Sequence, residues 1–232
     1  MTRDQTIKYL CFFFLIFQAD IKVSDGDNIK LDKPKILLGT TNNHKIKEYL
    51  DSGMFEKFYI YTLKDFPSIP DIEETGKTVE ENSALKAKYY FEKTGIPTIS
   101  DDTGIFVHAL GGFPGIYSAR IAGPNKDFRK VKRDIAEKLK DSQDKRVTFS
   151  TALTYVDENN IITIQKDVYG TYVYGTLLSN PDLSGYRDAF LPDGAKKTIA
   201  DMTSKEKKVF SARSKGLLEL TDQLIQKGIW KN

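Results

Sequence analysis

An α/β fold built on a mixed central sheet is what the sequence predicts, from three observations. A strand, a polar loop and a helix follow one another over residues 35–53, the opening of an α/β unit. Short apolar runs keep alternating with helical patterns as far as residue 141. Two β-type runs joined by a tight turn then come late in the chain, which adds antiparallel pairing to the sheet.

Each element has its own signal. "KILLG" (35–39) is an apolar run stopped by glycine, a buried strand. "TTNNHKIKEYLDSG" sets Ile46, Tyr49 and Leu50 at helical spacing and stops at Gly53. "YIYTL" is the next strand. "TVEENSALKAKYYFEKTG" opens on Thr78 with Glu81 three residues on, a capping box, and closes at Gly95. "PTIS" and "GIFVHAL" read as two strands, with Asp101 and Asp102 at the carboxyl end of the first. "NKDFRKVKRDIAEKLKD" carries Phe128, Val131, Ile135 and Leu139 at helical spacing, a basic amphipathic helix. "RVTFSTALTYV" and "IITIQKDVYGTYV" flank "DENN" as a hairpin, and "SKGLLELTDQLIQKGIW" is a last helix. There is no internal repeat and no low-complexity tract.

Bulk composition narrows the function classes. The chain has 232 residues, 40% hydrophobic and 29% charged, ordinary globular usage with enough length for a sizeable core. A net charge of +3, with lysines spread among acids, argues against nucleic acid as a partner. One cysteine, Cys11, rules out a disulfide within the chain and argues against a thiolate metal site. "YLCFFFLIF" (9–17) has the size of a signal-peptide core but is too short for a bilayer, which needs roughly 20 residues. Phe17 stands where a cleavage site before Ala19 would need a small residue. Residues 1–33 therefore read as an upstream extension, with a signal or organelle-targeting segment as the alternative. The folded domain is expected over 34–232, cytoplasmic and without stable membrane association.

Ligands in open α/β sheets gather at the carboxyl ends of strands, where Asp101 and Asp102 are expected. Adjacent strand residues point to opposite faces, so the two cannot share one role. "DTG" (102–104) matches an aspartic-protease triplet, but that chemistry needs two such carboxylates and the chain carries one copy. "GTTNNHK" is a polar loop entering a helix, a candidate phosphate site at a helix N-terminus, to which Thr40, Asn42 and Lys45 add donors and charge. "DIEETGKT" offers Glu73 and Glu74, and Asn82 and Lys86 share a face of the following helix. Together these groups could hold a triphosphate with Mg²⁺. His44 and His108 have no metal-ligand pattern around them.

Taken together, these stretches resemble the Ham1-like inosine triphosphate pyrophosphatase family. "TTNNHKIKE" is similar to its phosphate loop, and "EETGKTVEENSALKAKYY" to its E-E-T-G…E-N-A-x-x-K-A segment. "ISDDTGIFVHALGGFPGIYSARIAG" follows its central signature nearly residue for residue. "GYRDAFLPDGAKKTIADMTSKEKKVFSARSKGL" keeps the spacing of its last region. The resemblance covers about 35–220 and implies a two-lobed fold whose long mixed sheet is flanked by helices. It implies a homodimer that hydrolyses nucleoside triphosphates, inosine and xanthosine types above all, to monophosphate and pyrophosphate with Mg²⁺. Carried over by position, Asp102 is the general base and Glu74 and Asp102 hold the metal. Thr40, Asn42, Lys45 and Lys86 bind phosphates, and Thr103, Lys207, Ser211 and Arg213 lie on the nucleotide side.

The departures are confined to one half of that pattern. Thr41 replaces a glycine of the phosphate loop, which is tolerable if the backbone there needs no positive φ. Ser184 replaces the stacking phenylalanine, Arg187 the base-reading aspartate and Ala212 the base-contacting histidine. A register shift that brings Asp188 into the aspartate's place is the alternative. The phosphate half is kept and the base half is not, so altered or relaxed base choice is expected, with inosine and adenosine poorly discriminated. A nucleotide-binding relative without turnover is the remaining alternative, disfavoured by the intact Asp102, Glu74, Lys45 and Lys86.

Overall fold

A computed structural model of the chain describes residues 33–177, 179–182 and 185–231. The apolar run 9–17 and nearly all of the polar linker lie outside the described residues. Among these residues no helix is long and apolar enough to cross a membrane.

The chain enters the sheet through β1 (Lys35–Leu38), whose Ile36, Leu37 and Leu38 are fully buried. It turns at Gly39, where a Cβ would fall 2.1 Å from Ser100 Oγ on the neighbouring strand, so only glycine fits that approach. Helix α1 (Asn43–Asp51) follows, capped by Asn42, whose side chain accepts from the His44 and Lys45 backbone N–H groups. Strand β2 (Tyr59–Thr62) pairs in parallel with β1. Helix α2 (Val79–Thr94) starts at Thr78, whose side chain accepts from Glu81 N, and ends at Gly95 with φ 66°. Only half of the expected capping box forms there. The Glu81 carboxylate takes the Lys77 N–H at 2.6 Å instead of the cap residue's own.

The two strands expected around Asp101 and Asp102 are one. Strand β3 runs Thr98–Val107 without a break, and Asp101 and Asp102 sit in its middle, opposite Leu153 and Ala152 of β5 (Arg146–Val156). The aspartates are therefore not at the carboxyl end of their own strand. The end that matters is that of β1. It pairs with β3 only at Thr98 and Ile99, and the short β4 (Pro114–Gly115) pairs with it only at Ile105 and Phe106. Between those contacts one edge of β3 carries no strand among the described residues, while β5 covers the other edge along its whole length.

The late hairpin forms as expected. β5 and β6 (Ile161–Tyr172) pair over their full length around a turn in which Asp157 accepts from the Asn159 and Asn160 N–H groups. Strand β7 (Phe190–Pro192) closes the order β2-β1-β3-β5-β6-β7, with β1 parallel to its neighbours and the rest antiparallel, a mixed sheet.

Helices cover both faces of that sheet. Helix α3 (Phe128–Lys138) buries Phe128, Val131 and Ile135, as its spacing predicts, in a core with Ile105, Val107, Val147 and Phe190. Helix α4 (Ser204–Phe210) is capped by a Thr203–Glu206 box, and α5 (Ala212–Gln226) packs Leu217, Leu220 and Leu224 against Leu38, Ile99 and Leu153. Side chains alternate along β5, so Leu153 faces α5 while Thr154 faces α2, where Ser83 Oγ donates to it at 2.9 Å. The two long hairpin strands thus span two apolar cores, one at each end of the sheet.

Candidate active site

The strandless stretch of β3 opens into a cleft of about 580 Å³ lined by the loop before α1, by Glu74, by α2 and by the start of α5. Asp101 and Asp102 leave it on opposite faces, as strand geometry requires. Each meets a different set of partners.

Asp102 faces α2. Lys86 Nζ lies 3.0 Å from Asp102 Oδ1 and 2.6 Å from Glu74 Oε1, so one ammonium joins two carboxylates. Asn82, one helical turn before Lys86, reaches Asp102 Oδ2 with its Nδ2 at 3.4 Å. Asn82 Oδ1 also accepts from Gly76 N at 2.8 Å, which ties the Glu74 loop to the helix. A Cβ at position 76 would sit 2.6 Å from that Asn82 oxygen, which is why glycine follows the "EET" run. Burial works to lower the Lys86 pKa, but Asp102, Glu74 and Asp101 outweigh it and raise it above the usual lysine value. Burial likewise works against the Glu74 charge, yet Lys86 holds that carboxyl below its ordinary pKa. Glu73 is exposed and does not line the cleft.

Asp101 faces α1 and α5 and is spoken for. Arg213 donates to its Oδ2 from Nε at 3.1 Å and NH2 at 3.0 Å, Lys45 Nζ lies 2.9 Å from the same oxygen, and Tyr49 donates to Oδ1 at 3.0 Å. Burial alone would raise the Asp101 carboxyl; Arg213, then Lys45 and Lys86, hold it well below the usual carboxylate range. Arg213 also donates to Glu48 at 2.8 Å and to Thr103 Oγ1 at 3.2 Å, which commits nearly all of its N–H groups. Ser211 caps α5 and donates to Glu48. Lys45 also donates to the Asp101 carbonyl at 3.2 Å, and burial, only partly offset by Asp101, lowers its pKa.

The residues of the expected phosphate loop are together. Thr40 and Asn42 line the cleft, Thr40 Oγ1 accepting from Asn42 N at 3.2 Å. Lys126 is the one non-glycine with positive φ among the described residues, so Thr41 is unstrained.

The base half is arranged differently. Ser184 lies outside the described residues. Ala212 lines the cleft with Phe149, Tyr186 and Phe190. Asp188 takes no part, because Lys132, which is 1% exposed, binds both its oxygens at 2.6 and 2.7 Å behind the cleft wall. Lys132, on the basic amphipathic helix α3, is thus a core residue. Arg187 forms a forked pair with Asp182 and lines both the cleft and a side cavity of about 320 Å³ that also holds His44, Lys207 and Lys208. Lys207 borders that cavity rather than the main cleft. The His44 pKa is lowered, by burial first and then by Arg187. His108 is bonded to Thr148 at 2.8 Å, away from the site.

Three participants escape sequence reasoning. Glu48 shares the face of α1 with Lys45 but reveals its role only against Arg213, 165 residues on. Asp182 stands in a loop with no pattern of its own. Arg120 donates to the Glu74 carbonyl at 2.9 Å while lying over the Tyr117 ring, 4.5 Å from its centre.

The chain is similar to known proteins along most of its length. A model described as the Ham1 family matches residues 36–223. A dITP/XTP pyrophosphatase of Thermoanaerobacter pseudethanolicus is 31% identical over 198 residues, covering 83% of this chain and 98% of that protein. One of the same name from Exiguobacterium is 34% identical over 194 residues, covering 82% and 97%. The structure of the Staphylococcus aureus Ham1 protein superimposes with a TM-score of 0.73 at 28% identity, covering 83% of this chain and 99% of that one.

Proposed function

The chain belongs to the Ham1 family, and from that premise we propose that it hydrolyses nucleoside triphosphates, inosine and xanthosine types among them, to the monophosphate and pyrophosphate. One observation carries the proposal: two carboxylates and Lys86 converge at the open edge of β3, with Lys45 on the far side of the same strand. Phosphoryl transfer asks mainly for positioning and charge neutralisation, which such an edge supplies.

In the proposed reaction water attacks the α-phosphorus. Its oxygen bonds to phosphorus, the bond from phosphorus to the α–β bridging oxygen breaks, and pyrophosphate leaves with that oxygen. Asp102 takes the proton of the attacking water as general base. Lys86, its pKa raised, stays protonated and acts as a charge rather than a base. Lys45 meets the phosphates from the helix side, beside Thr40 and Asn42. Arg213, Glu48 and Ser211 act through Asp101: their network fixes the strand on which Asp102 stands.

Mg²⁺ is the metal we propose. Glu74 and Asp102 are hard oxygen donors that reach one common point, since both bond to the same Lys86 nitrogen. No cluster of three or more candidate ligands exists among the described residues, and Mg²⁺ needs none, because it is commonly held by one or two carboxylates with water and substrate phosphates. When bound it supplies charge neutralisation at the phosphate oxygens. A homodimer is the proposed assembly, and Phe113, Tyr117 and Ile121, all exposed after β3, are apolar side chains that a second copy would cover.

The test is pyrophosphate release from a panel of nucleoside triphosphates with and without Mg²⁺. Stoichiometric monophosphate and pyrophosphate are expected, and orthophosphate as the product would refute the proposal.

A further inference from the structure

The two carboxylates proposed to hold the metal are supported unequally. Asp102 stands within β3, paired to β5 through Ala152. Glu74 stands in the irregular stretch 70–76, where the backbone takes its shape from whatever bonds to it. On its carboxyl side α2 does so: Asn82 accepts from the Gly76 N–H at 2.8 Å, and Glu81 from the Lys77 N–H at 2.6 Å. At Glu74 itself the support comes from the segment after β4. Arg120 NH1 donates to the Glu74 carbonyl at 2.9 Å.

Arg120 is aimed as well as attached. Its NH2 donates to the Ile116 carbonyl at 3.3 Å, and its guanidinium carbon lies 4.5 Å from the centre of the Tyr117 ring. Ile116 and Tyr117 directly follow β4, which pairs with β3 at Ile105 and Phe106, just beyond Asp102. One line of contacts therefore runs from the strand of Asp102 through β4 and Arg120 to the backbone of Glu74. Lys86 makes the other link between the two carboxylates, but it occupies a carboxylate oxygen of Glu74, the group a metal needs. Arg120 takes the carbonyl and leaves the carboxylate free to bond. The task suits arginine: a planar fork serves two carbonyls while lying on a ring, and a lysine ammonium cannot.

We propose that Arg120 is a positioning residue that holds the Glu74 backbone so that its carboxylate is set for the divalent cation, with the Tyr117 ring aiming the guanidinium. This rests on Glu74 and Asp102 being the metal's carboxylates, and adds what sets Glu74 in place. Position and charge make opposite predictions here. A guanidinium beside a cation site repels the cation, so if its charge were all that mattered, removing it would tighten metal binding. As a support for the backbone its removal weakens binding.

Mn²⁺ is the probe. Its binding to the full chain is read from the loss of the free ion's electron paramagnetic resonance signal, without substrate or turnover, on the wild type, Arg120→Ala, Arg120→Lys, Tyr117→Ala and Glu74→Gln. Arg120→Ala is expected to weaken binding by about tenfold, the scale for a group that orients a metal ligand. Arg120→Lys should recover little of that loss, and Tyr117→Ala should weaken binding by a smaller factor. The Mg²⁺ concentration giving half-maximal pyrophosphate release should rise in step. Should the alanine variant not fold, Arg120→Lys decides, since it keeps the charge and loses the fork. Where Glu74→Gln loses Mn²⁺, an affinity unchanged or tightened in Arg120→Ala, or equal to wild type in Arg120→Lys, overturns the proposal alone. Wild type and Glu74→Gln binding Mn²⁺ equally, or neither binding it, overturns the metal reading and the proposal with it.

Discussion

Lys86 on α2 and Asp102 on β3, 16 residues apart in the chain, meet with Nζ 3.0 Å from Oδ1 at a stretch of β3 where one edge has no strand partner among the described residues. Because Glu74 shares the same ammonium at 2.6 Å, removing any of the three disturbs the other two.

Asp102→Asn is expected to lower kcat by about 10²- to 10⁴-fold, since an amide cannot take the proton of water. Circular dichroism should stay native, because Lys86 keeps Glu74 as its partner. Near-full activity with Mg²⁺ present would remove Asp102 from the role. Asp101 would not replace it, being held by Arg213, Lys45 and Tyr49.

Lys45→Ala and Lys86→Ala should raise KM more than they lower the melting temperature. Both cations border the cleft, and Asp101 retains Arg213 when Lys45 is gone. Unchanged KM in both variants would take these lysines out of phosphate binding.

Arg213→Ala is expected to be a stability variant first. It leaves the fully buried Asp101 and the largely buried Glu48 without their main cation, and breaking a buried pair costs about 3–5 kcal/mol. Urea unfolding measures it, and a loss under ~1 kcal/mol would mean that the network is not what holds β3 to α5.

Acid should unfold the protein through the same network. Asp101, Glu48 and Glu74 all have carboxyl pKa values lowered by folding, with Arg213 or Lys86 as the chief opposing cation. A lowered folded pKa means stability that is complete above the unfolded carboxylate range, about pH 4, and lost as pH falls through the folded values. The melting temperature of the wild type should drop steeply below about pH 4, and Asp101→Asn should flatten that drop. Parallel curves for the two proteins would contradict this.

How much of this was legible in the sequence depends on range. Local chemistry was readable. Gly95 ends α2, Thr78 caps it, and the spacing of Phe128, Val131 and Ile135 marks the buried side of α3. The grouping of Asn82, Lys86, Glu74 and Asp102 was also readable, because a helix face and a strand parity bring them together. What failed was the strand end expected at Asp101 and Asp102. Two aspartates look like the end of a buried strand, but Asp101 and Asp102 stay within β3 because cations on both faces neutralise them. The Thr203–Glu206 box went unread although its pattern is the one expected at Thr78, and there it forms in full. Partnerships such as Arg213 with Glu48, or Lys132 with Asp188, join residues 165 and 56 apart, and nothing local encodes them.

The central claim is attack of water on the α-phosphorus, and hydrolysis of inosine triphosphate in ¹⁸O-enriched water with Mg²⁺ tests it most directly. Mass spectrometry of the products should find one ¹⁸O in inosine monophosphate and none in pyrophosphate, with no turnover once EDTA removes the metal. Label in the pyrophosphate, or release of orthophosphate in its place, would contradict the account.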